Sequence, residues 1–127
     1  MSLFSGKKGL LHQFAEVLFN DANLVAATNS TNAMLFAVVD NGPKYQLFFD
    51  NQMDQEIVVL VEHPEAFKEE DYGTVNYKML LTKISAYQTL SYNIGQSPRI
   101  QFDTGTKIYL HKSTVAPTLG KIKINMW

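Results

Sequence analysis

The sequence predicts an antiparallel β-sandwich, jelly-roll-like in arrangement and preceded by one N-terminal α-helix. Three observations lead there. The stretch from Lys44 to Glu62, KYQLFFDNQMDQEIVVLVE, holds two runs rich in β-branched and aromatic residues around a short polar link. Within it Tyr45, Leu47 and Phe49 alternate on one side and Ile57, Val59 and Val61 on the other, a period of two that places each set on one face of an extended strand. Finally, short strand-like segments recur between turn signals along the rest of the chain, ending in a strictly alternating terminus. A β-barrel is the second reading, because periodicity does not reveal strand order.

The chain has 127 residues, which suits one domain. Surface scaling gives roughly 6,800 Å² for the folded chain against about 21,000 Å² extended, enough burial for a core without metal or disulfides. Met1–Gly9 reads as a loose terminus with two incidental apolar residues or as an arm that docks on a neighbouring subunit, and residues 10–127 as a single sandwich domain. Glycines at 6 and 9 break the arm, whose apolar residues are Leu3 and Phe4. Ordering such an arm costs about 1–2 kcal/mol per residue, so docking on a neighbouring subunit would rely on those two anchors.

From Leu10 to Asn20 the spacing predicts a helix, since Leu10, Leu11, Phe14, Val17, Leu18 and Phe19 recur at intervals of three and four. Asn20, Asp21 and Asn23 either stop it near Phe19 or open a second short turn at Leu24–Ala27. A polar linker follows at Thr28–Asn32. Its Asn29-Ser30-Thr31 fits a glycosylation acceptor, a chemistry confined to the secretory pathway. The start of the chain, MSLFSGKKG, has no apolar core of signal-peptide length, so a cytosolic product is expected.

Met34–Val39 is a strand-length apolar run. Asp40-Asn41-Gly42-Pro43 then signals a tight hairpin into Tyr45–Phe49, because Asn and Gly both tolerate positive φ. The link Asp50–Gln55 turns the chain again into Ile57–Val61. The acidic stretch Glu65–Gly73 lacks the ligand spacing of a calcium loop and reads as a solvated surface loop or one helical turn; Asp50, Asn51 and Asp54 likewise form no cation site. Thr74–Tyr92 is strand-like, with a phase shift that places a turn or bulge between Thr82 and Ala86. After the turn residues Asn93–Pro98, Ile100 and Phe102 alternate, Thr104-Gly105 turns the chain, and Ile108 and Leu110 continue. In Lys121–Trp127 the inward set is Ile122, Ile124 and Met126, with Trp127 on the outer face.

Composition excludes several functions. The formal net charge is −1, and Arg99 is the only arginine, so no clustered cations are available to neutralise phosphates; nucleic acid is not an expected partner. Absence of cysteine removes disulfides, thiolate metal sites and a thiol nucleophile. No apolar run approaches the ~18 residues that span a bilayer, and no membrane partner is expected. His12, His63 and His111 lack metal-ligand spacing, no GxSxG elbow occurs, and the Gly6–Gly9 pair precedes no phosphate loop. No catalytic residue, metal or cofactor is therefore assigned, and an enzyme is not expected. Aromatic residues, among them Tyr109 and Trp127, raise the question of a stacking platform. Tyr109, His111 and Trp127 are the candidate outer-face binding residues for a carbohydrate- or ligand-binding module.

Two segments, LFFDNQMDQEIVVLVEHPE and VAPTLGKIKINMW, carry a family resemblance. The first has a polar Asp-Asn-Gln-Met-Asp-Gln turn leading into an aliphatic strand. The second has a Pro117-Thr118-Leu119-Gly120 turn before the last strand. In both respects the chain resembles small virion accessory proteins of tailed bacteriophages, over about a third of its length. That resemblance implies a β-sandwich that decorates or cements a capsid lattice, or joins virion parts, without catalytic residues. Expected partners are a major capsid or other virion protein and further copies of the chain, in virions assembled in a host cytoplasm. Leu3, Phe4, Leu10 and Phe14 are then the candidate intersubunit contacts. The helical N-terminal third departs from the simplest sandwiches of this type.

Overall fold

A computed structural model describes residues 12–64, 78–93 and 102–127. Eight strands and one short helix follow in order: β1 (Gln13–Leu18), α1 (Ala22–Ala26), β2 (Met34–Val38), β3 (Gln46–Asn51), β4 (Ile57–Glu62), β5 (Met79–Ile84), β6 (Thr89–Asn93), β7 (Lys107–Lys112) and β8 (Lys121–Met126). They form two four-stranded sheets, ordered β1-β8-β3-β6 and β2-β7-β4-β5, with every pairing antiparallel. The first strand pairs with the last, the second with the seventh, the third with the sixth and the fourth with the fifth. Only the connection from β4 to β5 stays within one sheet; every other one changes sheets.

Alternation fills the space between the layers. In one sheet Ala15, Ile124, Phe49 and Leu90 lie side by side across four strands, next to a row holding Met126, Leu47 and Tyr92. From the other sheet come Ile57, Val59, Val61, Ile84, Ile108 and Leu110, all buried in the same cluster. Each fully buried Leu, Ile or Phe stabilises the fold by about 1.5–3 kcal/mol, so these rows dominate its energetics.

The predicted helix over residues 10–20 is corrected: within it, Gln13–Leu18 is the edge strand β1. Pairing with β8 overrides the helical spacing, turning Ala15 and Val17 inward and leaving Phe14 and Leu18 in solvent. The helix that does form is α1, the second short turn. Asp21 caps it by accepting from the Asn23 and Leu24 amides, and Leu24 is its buried residue.

The expected hairpins are corrected as well. Asn41 and Gly42 do adopt positive φ, at 58° and 100°. The turn nevertheless carries the chain from β2 in one sheet to β3 in the other, and Asp50–Gln55 carries it back to β4. Tyr45 does not join Leu47 and Phe49 in the core; it is exposed, and its amide donates to the Trp127 carbonyl. The long Thr74–Tyr92 segment divides at Ser85–Gln88, where Tyr87 takes φ 59°, into β5 and β6 of opposite sheets. The arm with Leu3 and Phe4, Leu10, and the stretch Glu65–Gly73 lie outside the described residues.

Two buried polar side chains hold the crossings. Asn51 donates to the carbonyls of Gln55, Ile84 and Ser85 and accepts from the Met53 amide, so both ends of its amide are satisfied. Lys44 is fully buried, its ammonium on the carbonyls of Asp40 (2.6 Å) and Gly42 (3.2 Å). Burial lowers its pKa from the ordinary lysine value, while the Asp40 charge acts in the opposite direction.

Candidate functional site

The outer faces of the two sheets carry the sequence-predicted residues, and they separate them. Tyr109 and His111 lie on β7. Trp127 extends β8 in the opposite sheet, where Phe14 also lies. Leu3, Phe4 and Leu10 are outside the described residues.

On the β1-β8-β3-β6 sheet, the outer face is built by the residues that alternate with the core set. Phe14, Asn125 and Phe48 form one cross-strand row, with Ser91 beyond them. Glu16, Lys123, Asp50 and Thr89 form the next. Leu18 sits opposite Lys121, whose ammonium is 3.5 Å from the Glu16 carboxylate. The Trp127 amide donates to the Gln46 carbonyl, which fixes the backbone after β8. Its indole stacks on His12 at 5.0 Å between centroids and 20° between planes. His12 Nε2 and Asn125 Oδ1 are 2.8 Å apart, a contact that requires Nε2–H as the donor. Phe14, Leu18 and Trp127 are 52%, 56% and 47% exposed. The face is therefore apolar at one side and carries balanced charge across its middle.

On the β2-β7-β4-β5 sheet, Leu35, Tyr109, Leu60 and Leu80 run across all four strands. Every residue of β4 is buried, including Val58 and Leu60 on the outer side. Beside them opens a cavity of about 500 Å³, floored by Val58 and Leu60 and rimmed by Leu80, Lys83, His111 and Glu56. His111 Nδ1 is 2.6 Å from the Lys112 carbonyl oxygen. Lys112 itself donates to the Val25 carbonyl. Lys78 places its ammonium 4.4 Å from the centre of the Tyr109 ring. Tyr109 donates to the Glu62 carboxylate at 3.4 Å, and burial, then Glu62, raises its pKa. One face of that ring is thus already taken by a cation, which weakens it as a stacking platform.

Among the described residues, no group of three or more His, Asp or Glu side chains is placed to hold a metal ion. Sequence reasoning found Tyr109 and His111 together but missed their neighbours Leu80 and Lys83, and it missed His12, Phe48 and Asn125 on the other face. Phe48 was hidden by lying between Leu47 and Phe49; the Lys121–Asn125 alternation did mark Asn125 as outward. No protein-family model, curated protein or solved structure matches the chain.

Proposed function

We propose that this chain is a non-enzymatic structural subunit of a virion, acting through protein–protein contacts to decorate or cement a capsid lattice or to join virion parts. The observation that carries the reading is the outer face with Phe14, Leu18 and Trp127. A sandwich needs only its inner faces to be apolar, so large exposed apolar side chains on an outer face stand ready for a partner. The strand order supports reading the sandwich as a jelly roll. Pairing first with last, second with seventh, third with sixth and fourth with fifth is what a long antiparallel hairpin gives when it rolls up on itself. Jelly rolls are a recurrent architecture of capsid domains. The phage-accessory resemblance points the same way, and its two turn signatures lie together in space: Asp54 of the first accepts hydrogen bonds from Thr118 of the second.

Particles made with and without the gene test the proposal. Wild-type particles should contain the chain, and particles lacking it should lose mass at defined surface positions or fall apart at lower temperature. A chain found only free in the infected cell, with unchanged particles, would contradict it.

The cavity over Val58 and Leu60 favours one second reading, a module that binds a small ligand with an apolar body and a polar rim. Binding of a sugar or other small molecule that is lost in His111→Ala would support it.

A further inference from the structure

We infer that the free edge of β1 pairs with β1 of a second copy, joining two sheets into one continuous antiparallel sheet. The inference rests on the structural-subunit reading and names the partner.

Four strands lie at sheet edges: β1, β6, β2 and β5. Natural edges are blunted against pairing, often by bulges or by polar surfaces. Both edges of the β2-β7-β4-β5 sheet are bulged. The β2 register passes from Leu35–Tyr109 to Ala37–Ile108, leaving Phe36 as the extra residue. The β5 register passes from Val59–Thr82 to Leu60–Leu80, leaving Leu81. Edge β6 turns exposed Thr89 and Ser91 outward.

β1 has no bulge, and Glu16 is its one charged residue. It pairs with β8 through six consecutive residues without a register shift, contains no Pro or Lys, and turns Phe14 and Leu18 outward. Among the described residues, no strand pairs with its other edge. Such a strand is a template for another strand.

The sequence of β1, QFAEVL, is complementary to itself in the antiparallel direction. Pairing centred on Glu16 sets Phe14 of one copy beside Leu18 of the other on the outer face, twice by symmetry. Ala15 then lies beside Val17 on the inner face, extending the apolar layer. The two central Glu16 carboxylates meet, each with Lys121 of its own chain 3.5 Å away. Pairing of five residues per strand, Phe14–Leu18, is small beside a standard interface, so free chains should exchange between monomer and dimer at micromolar concentration.

The test uses the full chain, whose lack of cysteine makes crosslinking unambiguous. Directly opposed residues of an antiparallel pair lie about 4.5–5.5 Å apart at Cα, within disulfide reach. Glu16→Cys should therefore give a disulfide-linked dimer on mild oxidation, and Lys123→Cys, in the middle of the sheet, should not. Light scattering should show the mass rising from 14.4 kDa towards twice that value with concentration. Phe14→Lys combined with Leu18→Lys should remain monomeric, with an unchanged circular dichroism spectrum because both positions are already exposed. A monomer up to about 200 µM, or a dimer that Glu16→Cys fails to link or that survives the lysine pair, would overturn edge pairing. Either result leaves the presence of the chain in particles as a separate question, decided by particle composition.

Discussion

Asp54 holds Thr118 at two points: its carboxylate accepts the Thr118 amide at 2.8 Å and the Thr118 hydroxyl. The contact joins the β3–β4 link to the β7–β8 link across 64 residues of sequence. Beside it, the Gln52 amide donates to the Lys121 carbonyl, so β8 enters its sheet already fastened to the crossing between sheets.

These hydrogen bonds hold the Asp54 carboxyl below its ordinary pKa, the Thr118 hydroxyl contributing most and its amide next. A carboxyl whose native pKa is depressed adds stability that is fully present above the unfolded value, near 3.9, and lost as pH falls through the native value. Wild type should therefore exceed Asp54→Asn in melting temperature at pH 7, and the gap should close as pH falls below about 4. A gap that is constant with pH would show that the carboxylate charge is not involved.

Gly120 stands next to this contact with φ 92°, and a Cβ there would lie 2.1 Å from the Gln52 carbonyl oxygen. Neither the backbone angle nor the space admits a side chain. Gly120→Ala should cost about 3 kcal/mol or more, read from the urea midpoint. Gly105→Ala, whose Cβ would meet only Pro64 at 3.5 Å, should cost less.

Lys44 gives a prediction of opposite sign. Burial lowers its pKa, so between the native value and the unfolded value near 10.4 the unfolded chain holds more protons, and stability rises with pH. Relative to Lys44→Met, wild type should gain stability in urea titrations as pH rises towards the unfolded value near 10.4. An advantage that falls as pH approaches that value would contradict a lowered pKa for its ammonium.

The inner faces were legible because Ile122, Ile124 and Met126 alternate with Lys121, Lys123 and Asn125 and because Ile57–Val61 is an unbroken apolar run, and the Asn41-Gly42 turn was legible from its chemistry. Partners were not, since a turn that tolerates positive φ can close a hairpin or cross between sheets. The helix error has a more informative cause. Phe14 and Leu18 are apolar on the wet face of β1, which erased its alternation and left a spacing of three and four. Exposed side chains that spoil the local pattern are where function is expected to override folding rules. Likewise Tyr109 and Trp127 both read as outward, but nothing local says that two strands belong to opposite sheets.

That separation has a direct optical consequence. Trp127 is the single tryptophan and stacks on His12, while the cavity over Val58 and Leu60 opens on the other sheet. A small ligand bound there should leave Trp127 emission unchanged, whereas His12→Ala should shift it to the red at a stability cost of about 0.5–1 kcal/mol. A ligand whose affinity depends on His111 and that also shifts Trp127 emission would contradict this geometry.

Counting copies of this chain in purified particles by quantitative mass spectrometry decides whether it is a structural subunit of a virion. A virion subunit should stand in a fixed ratio to the major capsid protein, the same in independent preparations and retained through repeated density-gradient purification. A chain that is absent, or that washes out to a variable trace, would contradict it.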